Sequence, residues 1–388
     1  MRIAFLVRAL SVGGAERQLT LLATGLAERG HQVEVMVFYR GGPLEADLES
    51  AGVSIVDLEK SGRWDVVGFV FRLWKYLRAS RPDIVYSFLP SANVLIAIAG
   101  YVLPSLRLAW GVRSTEMSYD KRDWLGKLAA SVESGLARRA AAVICNSFAA
   151  RAVQIRRGVK PERLIVIRNI LDSDRYQRTE AGRLSQRASW NLSEAQVAVG
   201  IVGRLDPMKG HRVFLDAVSR LVKCRTDIRV FIVGDGPDAF RAQLQAAARR
   251  HIGPGIISWL PSQNDLTPIY SALDVVCSAS FSEGFSNVLC EAMACGCTCV
   301  ATDVGDSGDI LAGFGKLVPP GNAIGLAEAL DAAVDGLASA DVPGMRHHIL
   351  ALCGRDAVLN VTETVLTRGA AGLPLASVVS NPNDFGAA

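Results

Sequence analysis

Short runs of Val, Ile and Ala alternate with longer amphipathic segments along this chain, and the alternation starts afresh after residue 196. Runs that are apolar at nearly every position suit strands buried on both faces of a parallel sheet, with the segments between them covering those faces as helices. In the first half, strands are expected at Ile3–Val7, Gln32–Phe38, Val53–Asp57, Ile84–Tyr86, Leu106–Val112, Ala142–Cys145 and Leu164–Ile167. Helices are expected at Ala15–Glu28, Asp65–Ala79, Ala92–Leu103 and Leu125–Ala140. Asp172–Gln196 is polar and reads as a linker. Beyond it come strands Val197–Val202, Ile228–Val233, Gly255–Trp259, Val275–Ser278 and Thr298–Ala301, with helices Val213–Lys223, Asp238–Arg250, Asp265–Ala272 and Ser286–Cys295 between them. A chain of 388 residues is also too long for one ordinary core. The expected fold class is therefore α/β, with two Rossmann-like, doubly wound parallel-sheet domains facing across a cleft. They occupy residues 1–180 and 190–345, with a C-terminal helix over 346–370 and a loose tail over 371–388. Ligands of such sheets bind at the carboxyl ends of the strands.

Composition removes several classes of function. Hydrophobic residues make up 50% and charged residues 21%, which describes a folded globular chain. The eight cysteines form no regular framework. Cys290, Cys295, Cys297 and Cys299 crowd one helix–strand segment, where strand spacing does not close a tetrahedron, so buried thiols in a reducing cytoplasm are expected rather than zinc. The opening run Met1–Arg8 is too short for a signal peptide. Val94–Leu103, ended by Pro104, is too short to span a bilayer. Charge is uneven: residues 1–180 hold 26 basic and 18 acidic residues, and residues 181–388 hold 16 and 20. A basic half attracts anionic partners. No nucleic-acid-binding motif accompanies it, so no nucleic acid is expected as a partner.

The chemistry gathers in loops after strands. Glu283-Gly-Phe-Ser-Asn-Val-Leu-Cys-Glu291 sets two carboxylates, with seven residues between them, around a helix start, with Glu283 at the mouth and Glu291 about two turns inside. Free amides at a helix N-terminus attract anions, while flanking carboxylates accept hydroxyl donors. A solvated Glu with a dipole partner is the plainer alternative. Gly203-Arg204-Leu-Asp-Pro-Met-Lys209-Gly210 carries two cations five apart, as a diphosphate needs, or as a solvated surface turn would also carry. Ser11-Val-Gly13-Gly14 lets backbone approach a ligand closely, or forms a simple tight turn; its spacing matches neither the dinucleotide nor the P-loop fingerprint. Val233-Gly-Asp235-Gly-Pro237 reads as a sharp turn, and no chemistry is assigned to Asp235. Thr302-Asp-Val-Gly305-Asp-Ser-Gly308 offers glycines and amides to a phosphate.

From the Gly13-Gly14 loop to Val318-Pro-Pro-Gly321, the chain resembles the retaining glycosyltransferases of family 4, which have the two-Rossmann GT-B fold. The resemblance is most specific in Val202-Gly-Arg204, Lys209-Gly210, Val233–Pro237, Glu283-Gly-Phe, Glu291-Ala and Thr302–Gly305. It implies that Arg204 and Lys209 neutralise the donor diphosphate in place of a metal, so no metal or other cofactor is expected. It further implies that Glu283 holds donor-sugar hydroxyls and that Phe285, Ser286, Asn287 and Val288 offer backbone amides. Glu291 would take the ribose hydroxyls, the loop from Leu260 to Asp265 would wrap the base, and Gly13 and Gly14 would approach the diphosphate from the other domain. Glu283, Arg204 and Lys209 are thus the expected catalytic set. The C-terminal helix is expected near the domain junction, as in related proteins, and no protein nucleophile is expected.

Many family members carry a His in the first domain that this chain lacks after Ile84–Tyr86 and Leu106–Val112. Arg113, Ser114 and Glu116 are the polar groups offered to an acceptor instead, with Glu116 as a candidate base. Arg63 to Arg78 mixes Trp, Phe and basic residues at helical period, which suits either an anionic membrane surface or a core-packed helix with snorkelling cations. Tyr119–Trp124 repeats the mixture. The expectation is a retaining hexosyltransferase of surface-polysaccharide biosynthesis. It would use a nucleoside-diphosphate sugar, UDP-linked by family habit, and a glycan or lipid-linked acceptor, and would be cytoplasmic or peripheral on the inner membrane face. A GT-B sugar-nucleotide epimerase and a non-catalytic GT-B partner subunit are the alternatives.

Overall fold

The computed structural model describes residues 1–11, 13–62, 64–113, 132–133 and 135–375. It divides into two compact units, the first built from Met1–Ile170 and Arg355–Ala388, the second from Leu171–Gly354. Both are parallel-sheet α/β units.

In the first unit the strands are β1 (Arg2–Val7), β2 (Gln32–Val37), β3 (Ser54–Asp57), β4 (Ile84–Phe88), β5 (Leu108–Val112), β6 (Ala142–Cys145) and β7 (Leu164–Val166). They form one sheet in the order β3-β2-β1-β4-β5-β6-β7. The apolar runs are buried because both faces are covered: Ile3 through Val7 and Ile84 through Phe88 have almost no exposed surface. Helix Val67–Ser80 turns Phe69, Leu73 and Leu77 into that core, as their four-residue spacing requires.

The second unit repeats the design with β8 (Val197–Val202), β9 (Ile228–Val233), β10 (Ile257–Leu260), β11 (Val275–Ser278), β12 (Thr298–Thr302) and β13 (Lys316–Val318), in the order β10-β9-β8-β11-β12-β13. Strand order reverses between β8 and β11, which pair in register Val199 to Val275. In open parallel sheets this switch point is where loops part and a ligand enters. The loops leaving β8 and β11, residues 203–210 and 279–286, are brought side by side there.

Three sequence expectations are corrected. Asp172–Gln196 is not an open linker: it holds helix Glu180–Ser189, capped by Thr179. Its arginines are turned inward, Arg183 Nη2 lying 2.6 Å from Asp274 Oδ1 and Arg187 Nη1 3.0 Å from Asp274 Oδ2. Hydropathy reads such residues as solvent-facing although Arg187 is buried. Second, two helices replace the single one expected over 346–370. Val342–Cys353 belongs to the second unit and Arg355–Ala371 to the first, where Arg29 pairs with Asp356 at 2.8 Å and His31 with Glu363 at 2.9 Å. Gly354 makes the break; a Cβ there would stand 2.3 Å from the Leu350 carbonyl oxygen. Third, the sequence reading did not anticipate β13, with three residues, or helices Phe148–Arg156 and Ala323–Asp335. Of the expected tail, residues 376–388 lie outside the described ones.

Candidate functional site

The loop after β8 is held rigid from within. Asp206 caps it by accepting the Met208 amide at 2.9 Å, and its other oxygen pairs with Arg204 Nη2 at 2.9 Å. Arg204 is 71% exposed, so its guanidinium is tethered yet open to solvent. Gly210 ends the turn with φ 68°, and a Cβ there would fall 1.8 Å from the Ala279 carbonyl oxygen. That close approach ties the loop to the one after β11. His211, next along, is buried, and burial lowers its imidazole to about 4, so it adds no positive charge beside Lys209 at neutral pH.

Across that contact, Lys209 Nζ lies 2.6 Å from Glu283 Oε1, and Ser280 Oγ donates to the same oxygen at 2.7 Å. Ser280 is in turn located by Thr302, whose hydroxyl donates to the Ser280 carbonyl at 2.6 Å. Glu283 is 13% and Lys209 34% exposed, so the pair is half-buried with one side reachable. Gly305, at φ 61°, packs against the backbone of Glu283 and Gly284, where a Cβ would stand 2.5 Å from either carbonyl oxygen. The Thr302–Gly308 loop therefore braces Glu283 from behind.

Helix Asn287–Ala294 starts four residues after Glu283. Phe285 and Ser286, just ahead of it, are buried. With Asn287 and Val288 they supply the amides of a first turn, where the helix dipole is positive. Glu291 is the fifth residue of the helix, little more than one turn in rather than two. Tyr270 donates its phenol to Glu291 Oε2 at 2.9 Å. Leu260 ends β10, and its carbonyl accepts the Gly234 amide at 3.0 Å, joining the β9 and β10 loops. Asp235 accepts from Ser262 and Arg241, and the Ser262 hydrogen bonds hold its carboxyl below the usual range. This is the turn-bracing role its flanking glycines suggest.

The structure thus gathers Lys209 and Glu283 through one hydrogen-bonded cluster, with Arg204 on the same loop and Glu291 on the adjoining helix. Gly13 and Gly14 are in the first unit, where Gly13 caps helix Gly14–Glu28 with ordinary extended backbone (φ −143°), so no left-handed turn explains the pair. Arg113 ends β5. Its two Nη atoms donate to Asn169 Oδ1 at 3.1 Å and Tyr86 Oη at 2.9 Å, and its guanidinium lies 4.7 Å from the centre of the Phe88 ring. Ser114 and Glu116 lie outside the described residues. Sequence reasoning missed Ser280 and Tyr270. The Ser-Ala-Ser run after β11 signals a loop, but nothing in one sequence joins Tyr270 to a carboxylate 21 residues on. Cys290, Cys295, Cys297 and Cys299 are buried free thiols. Among the described residues no His, Cys, Asp or Glu group could hold a metal ion.

Two doubly wound parallel-sheet units of this order, with the loops after β8 and β11 converging on a carboxylate–ammonium pair, define a GT-B protein. Residues 12–175 match the family model described as Glycosyltransferase Family 4, and residues 196–335 match Glycosyl transferases group 1. The chain belongs to this family of glycosyltransferases. A D-inositol 3-phosphate glycosyltransferase from Rhodococcus erythropolis is 32% identical over 41% of this chain and 37% of its own length. The chain thus spans little more than a third of the length of the curated relatives that it matches at this level. An α-1,4-N-acetyl-D-galactosaminyltransferase from Campylobacter jejuni, named for an undecaprenol diphosphate-linked glycan, is 27% identical over 76% of this chain and 77% of its own. HepE from Anabaena, solved in complex with UDP, superposes with a TM-score of 0.83 at 22% identity, covering 95% of this chain and all of that one.

Proposed function

We propose that this chain is a retaining glycosyltransferase that moves a hexosyl residue from a nucleoside-diphosphate sugar, UDP-linked, to a glycan or lipid-linked acceptor in cell-surface polysaccharide synthesis. The observation that carries the proposal is the 2.6 Å Lys209–Glu283 pair at the mouth of helix Asn287–Ala294. Breaking a sugar–phosphate bond leaves extra negative charge on the departing diphosphate, so fixed cations and amides aimed there favour the transition state over the ground state. Lys209 has three donors, one of them directed at Glu283, and the others serve phosphate oxygens. Arg204, tethered by Asp206, adds a planar fork. These cations do the work that a metal does elsewhere. Glu283 accepts donor-sugar hydroxyls and orients the ring, and Glu291 accepts ribose hydroxyls. No side chain is assigned as nucleophile; retention follows from same-face attack by the acceptor on an oxocarbenium-like centre.

HepE's complex with UDP supports the base, and the undecaprenol-linked substrate in the Campylobacter relative's name supports a lipid-borne acceptor. Helix Val67–Ser80 supports a membrane surface. Beside its buried stripe it exposes Val67 (84%) and Phe71 (59%), with Trp64 (75%) just ahead and the exposed Lys75 and Arg78 interleaved. Such a mixture suits an anionic interface. No helix among the described residues is long and apolar enough to cross a membrane.

The test is transfer itself. The protein is incubated with a panel of UDP-hexoses and a lipid-linked oligosaccharide fraction, and the product's anomeric configuration is read by NMR. An α-linked product from an α-linked donor, reduced about a hundredfold in Glu283→Gln, is expected. Inverted linkage, or epimerised free sugar nucleotide without transfer, would overturn the proposal.

A further inference from the structure

Tyr270 is fully buried in helix Thr267–Ala272, and every part of it is held. Its amide donates to the Leu266 carbonyl at 2.9 Å, and its carbonyl accepts from Cys297 Sγ at 3.0 Å. Its ring meets Tyr176 edge-on at 6.1 Å. The helix itself is opened by Asp265, which accepts the Thr267 amide at 3.0 Å and pairs with Arg175 at 3.3 Å. A ring fixed this way has one polar group left to direct, and it is directed at Glu291 Oε2, 2.9 Å away. Burial, then the neighbouring Glu291 carboxylate, push the phenol well above its ordinary range, so it stays a donor at any physiological pH.

A glutamate on a helix surface has three side-chain torsions to immobilise before it can accept a ligand hydroxyl, and that ordering is lost from affinity. A rigid donor behind the carboxylate removes the cost in advance and still leaves lone pairs, since a carboxylate offers about four acceptor positions. Metal-binding histidines show how strongly such outer partners tune an inner group.

We infer that Tyr270 is a positioning residue for the nucleoside end of the donor, holding Glu291 where it meets the ribose hydroxyls. This rests on the reading of Glu291 as the ribose acceptor. Tyr176 and Cys297 serve the same end by holding the ring and backbone of Tyr270.

The experiment compares the affinities of UDP, GDP and ADP with those of their 2′,3′-dideoxy counterparts by calorimetry, in wild type, Tyr270→Phe, Glu291→Ala and Glu291→Asp. Tyr270→Phe keeps the ring and its packing and removes only the phenol oxygen. It should weaken the hydroxylated nucleotide about tenfold and leave the dideoxy form unchanged, the effect of one lost hydrogen bond. Glu291→Asp, too short to reach the phenol, should lose the same discrimination. An equal loss for both nucleotides in Tyr270→Phe would mean a structural role and overturn the inference while sparing the Glu291 reading. So would full discrimination in Glu291→Asp, which covers the case in which Tyr270→Phe does not fold. Discrimination unchanged in Glu291→Ala, or no nucleotide binding to the wild type, would remove the ribose reading and the inference together.

Discussion

Glu133 gives a sharp test of how the interior of the first unit is built. It is 4% exposed, and its carboxylate accepts from Asn93 Nδ2, itself fixed by Ser87, whose hydroxyl donates to Asn93 Oδ1 at 2.5 Å. Burial raises the carboxyl to about 7, against the opposing influence of the Asn93 hydrogen bond and of Arg157. The unfolded value is 4.5. The folded state therefore binds the proton more tightly, and stability falls as pH rises from about 4.5 to about 7, after which the loss is complete. A shift of this size corresponds to about 3 kcal/mol. Glu133→Gln keeps the acceptor for Asn93 and removes the charge. The variant should match the wild type near pH 4.5 and exceed it above pH 7.5 by up to about 3 kcal/mol, or roughly 10 °C in melting temperature for a unit of this size. The assay is thermal unfolding of both proteins between pH 4.5 and 8.5. A difference in melting temperature that does not change with pH would refute the argument, because only a titrating carboxyl can produce the slope.

Other substitutions separate local causes. Asp274→Ala leaves Arg187 buried without its carboxylate and should cost about 3–5 kcal/mol in urea unfolding of the second unit, whereas Asp206→Ala at the exposed Arg204 pair should cost much less. Gly210→Ala drives a methyl into the Ala279 carbonyl at a left-handed backbone, so it should lower stability by more than 1 kcal/mol and weaken nucleotide binding with it. Replacing Trp64 and Phe71 by Ser should abolish sedimentation with vesicles rich in anionic lipid while leaving nucleotide affinity intact; unchanged sedimentation would remove the membrane reading.

The layout of both sheets was legible because buried parallel strands are written as unbroken Val and Ile runs, and the glycines and cations after β8, with the Glu283-Gly284 pair after β11, marked the loops that meet at the switch point. Gly210 and Gly305 were readable as loop residues, and their reason appears only in the fold: each lies against another loop's carbonyl. What escaped was every group whose meaning depends on a distant partner. Ser280 matters through Glu283 and Thr302, and Tyr270 through a carboxylate on another helix. Arg183 and Arg187 looked like linker residues because hydropathy scores a side chain alone, while Asp274 lies more than eighty residues away. The helix pair at the C-terminus was read as one because Gly354 is a single weak breaker. The crossing of Arg355–Ala371 back to the first unit depends on packing, such as Leu359 against Gly25, that no local pattern announces.

The measurement closest to the central claim is the melting temperature of wild type and Lys209→Ala against rising concentrations of UDP, GDP and ADP. A ligand that binds only the folded state stabilises it by about 2.7 kcal/mol at a hundred times its Kd. The account predicts that one nucleotide raises the wild-type melting temperature in this concentration-dependent way and that Lys209→Ala, which removes the ammonium beside Glu283, loses most of the rise. A wild type unmoved by every nucleotide at millimolar concentration, or a variant that responds as the wild type does, would contradict it.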